Sequence, residues 1–195
     1  MIRLFTELSK SILETFTDEE LFLRAAGAFN HYGAKCPDCG VSGWLSPYGA
    51  YGRGLVSFEN DQVVDHRVNT PRLKCPSCRA THALLPDILT PRSPYSLRFK
   101  LSALLAYFER KMTVAAICEG FGIAVSTLYR WKECFLSHKG LLLGALIDRK
   151  EPAPAFLYGL LESGRVSDTL RDFFHRHLFS FLQNRSTPPT MSAPP

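Results

Sequence analysis

The stretch that decides the fold is TVAAICEGFGIAVSTLYRWKECF, residues 113–135. Val114 and Ile117 give its first half an apolar face, and Gly122 stands where the chain must reverse, a position that favours the positive φ of glycine. Apolar side chains then recur at the three- and four-residue spacing of a helix with one buried face; they are Leu128, Trp131 and Phe135. The stretch predicts a helix-turn-helix whose second helix would enter a DNA major groove.

The candidate DNA contacts lie on and around that second helix. Residues 92–139 contain eight Lys/Arg against three Glu, so their net charge of +5 equals that of the whole chain. The predicted groove contacts are Ser126, Thr127, Tyr129 and Arg130. The predicted phosphate contacts are Arg98, Lys100, Arg110, Lys111 and Lys132. A charge of this size is also compatible with plain solubility, and the helix pair with a hairpin inside a core.

This pattern resembles the helix-turn-helix of insertion-sequence transposases and resolvases. The resemblance is carried by Ile117, Cys118, Phe121, Gly122, Ile123, Ser126, Thr127, Leu128, Tyr129, Arg130 and Trp131. Cys118 departs from the usual Ala but is still small, and Ala124 stands where Ser or Asp would cap the second helix. The resemblance implies DNA recognition in connection with a mobile element.

Two CxxC motifs precede this stretch. Cys36-Pro-Asp-Cys39 and Cys75-Pro-Ser-Cys78 each carry a proline that presets a tight turn. Four thiolates in two such pairs can hold one tetrahedral metal ion, and the closed ligand set favours one structural Zn²⁺. His82 has acceptable ligand spacing but is unneeded as a fifth ligand, so we expect a strand histidine or a partner to a thiolate.

The residues between the two cysteine pairs predict strands. Residues 55–58 and 62–64 flank a turn at Glu59–Asp61, Val68 and Leu73 indicate a third strand, and residues 81–85 return from the second pair. The layout is that of a zinc ribbon with a small antiparallel sheet. Residues 43–54 predict a flexible connection, or alternatively a nucleic-acid contact through Arg53 and the tyrosines.

This ribbon also resembles a family of bacterial proteins classified as a domain of unknown function and found near mobile elements. The resemblance rests on Arg72 to Cys78 and Thr81 to Asp87, and together with the helical stretch it covers residues 33–138. Amino-terminal modules of transposases likewise pair a zinc ribbon with a helix-turn-helix. The resemblance implies this architecture and leaves the DNA site undefined.

The flanks predict helices. Residues 2–16 carry a helical apolar stripe, and Thr17 with Glu20 forms a capping box that opens a second helix. Ser93 and Pro94 predict the start of a helix whose stripe consists of Leu97, Leu101, Leu104, Leu105, Phe108 and Met112.

Towards the carboxyl end, helical segments are expected at residues 141–147 and 156–161. Ser167 would cap a last helix with a face of Leu170, Phe173, Phe174, Leu178 and Phe181. That face would pack on the other helices or form a homodimer interface.

Composition limits the function. No run of about 18 apolar residues exists and the amino-terminal segment is interrupted by charges, so we expect neither a membrane span nor a secretory signal, and the cytoplasm is the default location. The transposases resembled here cut DNA with three carboxylates on a ribonuclease-H-like domain. The residues after Phe135 do not predict such a domain, so no catalytic residues and no enzyme are expected.

The expected fold is α+β and mostly helical: a small antiparallel zinc-ribbon sheet, then a three-helix unit with the helix-turn-helix, and helical flanks. The expected boundaries are 1–32 for a helical hairpin, 33–90 for the ribbon, 91–139 for the helix-turn-helix, 140–185 for the last helices and 186–195 for a disordered tail.

The expected function is zinc-containing, sequence-specific binding of double-stranded DNA, as an accessory or regulatory factor in transposition. A transposase or ATPase on another polypeptide would be its protein partner. The alternatives are an adaptor that docks on such a protein, and a ribbon that binds unpaired RNA through its tyrosines.

Overall fold

The structure is a computed structural model, and it describes residues 1–6, 8, 10–43, 45–60, 62–143, 152–162 and 166–184. Within these residues the fold is mixed α/β, with seven helices and one four-stranded sheet. The strands are β1 (Ile2–Leu4), β2 (Ser46–Glu59), β3 (Gln62–Lys74) and β4 (Thr81–Pro86). The helices are α1 (Lys10–Thr15), α2 (Asp18–Gly27), α3 (Leu97–Glu109), α4 (Val114–Gly120), α5 (Val125–Leu143), α6 (Ala153–Glu162) and α7 (Val166–His177).

The sheet has the order β1-β4-β3-β2, and it is mixed rather than antiparallel as expected. β1 runs parallel to β4, with Ile2 opposite Leu84, while the other pairs are antiparallel. The prediction of a helical stripe over residues 2–16 is therefore wrong for residues 2–4, which form a strand, and for residues 5, 6 and 8, which belong to no helix; among the described residues of that range only α1 is helical. Leu4 belongs to a small apolar cluster beneath the sheet with Leu84, and this tertiary packing decides the local structure.

The hairpin of β2 and β3 turns where predicted, since Glu59 pairs with Gln62 and Asn60 adopts φ 49°. Its strands are longer than predicted. Most of the expected flexible loop over 43–54 lies in β2, and the expected third strand is the continuation of β3. The register shifts between Pro47 and Ala50. Gly49 lies between them with φ 74°, so it accommodates an irregularity that a β-branched residue would resist.

The capping box of α2 is confirmed. The Glu20 backbone N–H donates to Thr17 Oγ1 at 3.2 Å, and the Thr17 N–H donates to Glu20 Oε2 at 2.8 Å. Because Thr17 and Glu20 are close in sequence, the capping box forms without contacts from distant parts of the chain.

The start of α3 differs from the prediction, because Ser96 rather than Ser93 is its N-cap. The Phe99 N–H donates to Ser96 Oγ at 3.0 Å. The Val56 backbone explains the shift: it accepts from the Ser96 N–H and donates to the Pro94 carbonyl, both at 2.9 Å. Residues 94–96 are thus held extended beside β2, and the helix begins only after them.

Helices α4 and α5 follow with a tight turn between them. Gly122 has φ 59°, as the sequence predicted for this turn. The two helices and α3 share an aromatic core, in which Phe99 contacts Phe121 and Trp131 at centroid distances of 5.3 and 6.1 Å. Phe58 at the end of β2 stacks on Phe121 at 4.8 Å, so the hairpin is fixed to the turn.

The last helices pack on the same core. Ser167 lies inside α7 rather than capping it, and it is buried. Its hydroxyl donates to the Thr6 carbonyl and accepts from the Leu8 N–H at 3.1 Å, so it fastens the amino-terminal segment. The prediction that Leu178 belongs to the packed face of this helix is wrong, because Leu178 is 79% exposed.

Two predictions concern residues without a structural description here. Helix α5 continues through Leu143, and the remainder of the helix expected over 141–147 lies outside the described residues. The same holds for the tail expected over 186–195.

Candidate metal centre and candidate nucleic-acid interface

The two cysteine motifs form matched turns. The Cys36 N–H donates to the Val41 carbonyl at 3.0 Å, and the Gly40 N–H donates back to the Cys36 carbonyl at 2.9 Å. In the second turn Cys75 is the counterpart of Cys36: its N–H donates to Ala80 at 2.9 Å, and its carbonyl accepts from Arg79 at 3.0 Å. Gly40 and Arg79 have φ 72° and 62°. The two turns therefore have the same backbone path.

These turns bring the four cysteines together. The Sγ atoms of Cys36, Cys39, Cys75 and Cys78 all lie within 4.8 Å of one another. Cys36 to Cys78 measures 3.7 Å and Cys39 to Cys75 measures 3.8 Å. The cluster has one buried and one exposed cysteine from each turn. It lies at the open end of the β2–β3 hairpin, and it could bind a metal ion through four sulfur ligands.

The thiols do not ionise equally. The backbone N–H of Cys39 lowers the pKa of the Cys36 thiol to about 6, against an ordinary value of 9.0. The backbone N–H of Ala80 also favours the Cys78 thiolate, but desolvation and hydrogen bonds with the other three thiols outweigh it and raise the pKa of Cys78 to about 12. Four thiolates at this spacing repel one another, so full deprotonation needs a bound cation.

His82 contacts this cluster from β4. Its Nε2 lies 3.3 Å from Cys36 Sγ, its Nδ1 lies 3.1 Å from the Met1 nitrogen, and its side chain is 1% exposed. The imidazole is thus within hydrogen-bonding distance of the Cys36 sulfur. Hydrogen bonds of this kind, from groups that do not themselves bind the metal, orient metal ligands in proteins.

The predicted groove residues lie on one turn of α5. Ser126, Tyr129 and Arg130 are exposed, and Thr127 is half-buried. Arg130 Nη2 lies 3.5 Å from Thr127 Oγ1, a long contact that leaves most of the guanidinium donors free of protein acceptors among the described residues. The surface is therefore polar and has hydrogen-bond donors to offer.

Lys132 is half-buried beside this surface. Its Nζ lies 5.2 Å from the Tyr129 ring centroid and 6.0 Å from that of Tyr107, so two aromatic rings hold the ammonium near the groove residues. Arg110 and Lys111 are exposed after α3, with Lys111 Nζ 3.2 Å from Glu109 Oε1. These three cations remain accessible to phosphate groups.

Two predicted phosphate contacts are placed differently. Lys100 is 2% exposed and donates to Thr90 Oγ1 at 2.5 Å, so it is buried and does not lie on the outer surface of α3 as the prediction required. Arg98 donates to the Phe16 carbonyl at 2.9 Å and lies 3.4 Å from Asp18 Oδ1. Both cations therefore interact within the protein: Lys100 lies against Thr90 and Trp131 of α5, and Arg98 contacts the segment at the start of α2.

Arg53, expected to contact nucleic acid, also points inward. Its Nη2 donates to the Thr90 and Ser93 carbonyls, both at 2.6 Å. The sequence reasoning instead missed a basic and aromatic group on the hairpin, where Arg72 Cζ and Lys74 Nζ lie 5.5 and 5.1 Å from the Tyr48 ring centroid. The i, i+2 spacing of Arg72 and Lys74 on one strand was the available signal.

Comparison with models of protein families finds a match within the chain. A domain of unknown function, DUF6431, is found at residues 36–131. The matched segment begins at the first cysteine of the cluster and ends at Trp131 in α5, so it includes the four cysteines and the candidate nucleic-acid interface except Lys132. No curated protein and no solved structure matches the chain significantly. Among the helices that the structure describes, none is both long and apolar enough to cross a membrane.

Proposed function

We propose that this protein binds double-stranded DNA sequence-specifically through a helix-turn-helix formed by α4 and α5. The observation that carries the proposal is the exposed polar surface of Ser126, Tyr129 and Arg130 on the helix that follows the Gly122 turn. A helix so exposed at its amino-terminal end is the element that enters a major groove in such motifs. Lys132, Arg110 and Lys111 supply positive charge for the DNA backbone.

The cysteine cluster in this proposal is a structural zinc site. A tetrahedron with Zn–S bonds of about 2.3 Å has sulfur–sulfur edges of about 3.8 Å. The Cys36–Cys78 and Cys39–Cys75 distances of 3.7 and 3.8 Å fit that edge. Zinc would hold the two turns together, while His82 beside Cys36 fixes one ligand. The apolar side chains of Leu45, Leu73 and Leu84 pack in one cluster with the buried cysteines.

The biological role that we infer is accessory or regulatory, in transposition, with the DNA-cutting activity on another polypeptide. This inference rests on the resemblance of the cysteine motifs and of α4 and α5 to transposase modules. A transposase or ATPase is the protein partner that this role requires.

The test of DNA binding is selection of bound duplexes from a random pool by the metal-loaded chain at two salt concentrations. An enriched motif is the expected result, and its symmetry would report a monomer or a homodimer. Retention without enrichment that is lost steeply with salt would mean phosphate binding alone. Failure to retain any duplex at low salt would refute the proposal.

A substitution sharpens this test. Arg130→Ala should cost about 1–3 kcal/mol of affinity for the selected motif and relax specificity at one base pair. Lys111→Ala should weaken binding to all sequences similarly and reduce the slope against log salt by about one. Arg171→Ala is the matched control, since this exposed arginine lies on α7 and pairs with Asp168.

The zinc proposal has its own test. Chelation of the metal should speed hydrogen exchange across residues 33–90, because the small cluster around the cysteines buries little apolar surface. Unchanged exchange after the metal is gone would contradict a structural role. Cys118→Ser serves as control for loss of a thiol elsewhere, since Cys118 lies in the helical core.

A second candidate function is binding of unpaired RNA by the hairpin. The observation that favours it is the pair of exposed side chains Tyr48 and Tyr51, 49% and 40% accessible, with Arg72 and Lys74 around Tyr48. Proteins bind single-stranded RNA through aromatic rings that stack on the bases and through cations that contact the phosphates. Preference for single-stranded RNA over duplex DNA at equal salt, lost in Tyr48→Ala, would decide for it.

A further inference from the structure

A cavity of about 180 Å³ lies between α3, α5 and the loop before α3. Its lining includes Arg92, Tyr95, Lys100, Arg130, Trp131 and Cys134. At about 30 Å³ per water in the liquid, the volume corresponds to about six water molecules. The space is therefore larger than a packing defect and has three cationic side chains on its wall.

The buried member of this wall is Lys100. Its ammonium donates to Thr90 Oγ1 at 2.5 Å and lies 5.7 Å from the Trp131 ring centroid. An ammonium has three N–H donors, so this one hydrogen bond leaves donor capacity towards the cavity. A buried charge is costly unless a counter-charge accompanies it.

The described residues offer no carboxylate as a counter-charge. Of the described Asp and Glu residues none lines the cavity, and none of their ion pairs includes Lys100, Arg92 or Arg130. Cys134 lines the cavity, but burial raises the pKa of its thiol to about 11. Arg53 adds another cation nearby, since it donates to the Thr90 and Ser93 carbonyls. Burial lowers the pKa of Lys100 most, Cys134 raises it, and the charges of Arg53 and Arg130 lower it further. The cavity is consequently an electropositive space whose described lining has no carboxylate.

We propose that this cavity binds a phosphoryl oxyanion. Three cations on one wall suit a doubly charged group better than a single carboxylate, and guanidinium forks match phosphate oxygens in two-point contact. Lys100 would serve as the point charge at the closed end, with Arg92 and Arg130, both exposed residues, at the entrance. The oxyanion is either a DNA backbone phosphate or the phosphate of a free small molecule.

The cavity shares Arg130 with the predicted groove contacts of α5, but phosphate binding in it does not require that α5 contact base pairs. A phosphate from DNA would place the loop of Arg92 against the duplex backbone and so deepen the proposed function. A free phosphorylated molecule would instead make the cavity an effector site beside the recognition helix, because Arg130 belongs to both surfaces.

The test is calorimetric titration of inorganic phosphate into the full metal-loaded chain, at constant ionic strength in chloride. We expect saturable binding to the unaltered chain and a dissociation constant raised at least about tenfold in Arg130→Gln and in Arg92→Gln, since each loses hydrogen bonds to a charged group. Arg171→Gln should bind as the unaltered chain does, since Arg171 is an exposed arginine on α7 outside the cavity.

The same titration can overturn the proposal. Absence of saturable phosphate binding, or equal dissociation constants in Arg130→Gln, Arg92→Gln and the control, would refute it. Because both altered arginines are exposed, their circular dichroism should match that of the unaltered chain. Should one variant lose its fold, the other still tests the same wall.

A competition experiment identifies the source of the anion. A short duplex that displaces bound phosphate would show that a backbone phosphate occupies the cavity. Simultaneous binding of duplex and phosphate would show that a free phosphorylated molecule does. Phosphate binding by a chain that retains no duplex would refute the DNA-binding proposal and leave the oxyanion site standing, so the two failures are distinguishable.

Discussion

The buried Lys100 should make stability depend on pH. Burial lowers the pKa of its ammonium to about 7, from an ordinary value of 10.5. Cys134 raises this pKa, and Arg53 and Arg130 lower it further. Between the two values the unfolded chain binds a proton that the folded chain does not, so the free energy of unfolding rises with pH. The cost of burying the charged ammonium lowers the free energy of unfolding in full below pH 7, and this cost vanishes above about pH 10.5.

The magnitude follows from that difference. The slope approaches about 1.4 kcal/mol per pH unit where the folded amine is neutral and the unfolded one charged. Partial protonation near pH 7 reduces it, so the free energy of unfolding should rise by about 2 kcal/mol between pH 7 and pH 9 on account of Lys100 alone. Lys100→Met has similar length and no charge, and it should remove this increment.

The assay is urea unfolding at pH 7, 8 and 9, followed by circular dichroism, in chloride buffer without phosphate or sulfate. Subtracting the Lys100→Met curve from that of the unaltered chain cancels the titration of other groups. Lys111→Met is the control, because the Lys111 side chain is 75% exposed. Parallel pH profiles for the unaltered chain and Lys100→Met would refute the reasoning about the buried ammonium.

Three further substitutions test the fold, each by urea unfolding against the exposed control Ser137→Ala, which should change the free energy by less than about 0.5 kcal/mol. Ser167→Ala should cost about 1–3 kcal/mol, because it leaves the buried Leu8 N–H without its acceptor; a loss no larger than that of the control would mean that another group takes over. Thr17→Ala should cost about 1 kcal/mol through loss of the α2 cap, and an unchanged midpoint would contradict that assignment. Gly122→Ala should cost about 1 kcal/mol, because an L side chain resists φ 59° although open space surrounds it; a stabilised variant would show that the turn relaxes.

The sequence predicts well the features that local interactions determine. The Thr17 capping box, the hairpin turn before Gln62 and the left-handed Gly122 all depend on residues a few positions apart. The approach of the four cysteines was also predictable, although the two pairs are distant, because metal-ligand spacing implies that they meet. Each of these features is determined either by the backbone geometry of a few neighbouring residues or by the geometry of metal binding.

The remaining features depend on partners that no local pattern indicates. Ile2 fits a helical apolar stripe with Phe5 and Leu8, and only pairing with β4 makes residues 2–4 a strand. Lys100 sits beside Leu101 at the margin of an apolar stripe, and only the arrival of Thr90 and Trp131 closes the site over it. Whether a cation faces solvent or the interior is decided by such packing.

The parallel pairing of β1 with β4 bears on how the protein should be produced for experiments. Residues 2–4 lie outside the matched segment 36–131, yet they cover β4 along Leu84–Pro86. A fragment trimmed to that segment would leave β4 as a free edge, with backbone groups open to pairing between copies and with Leu84 uncovered. Such a fragment should self-associate, so biochemical work should begin with the full chain rather than with the matched segment.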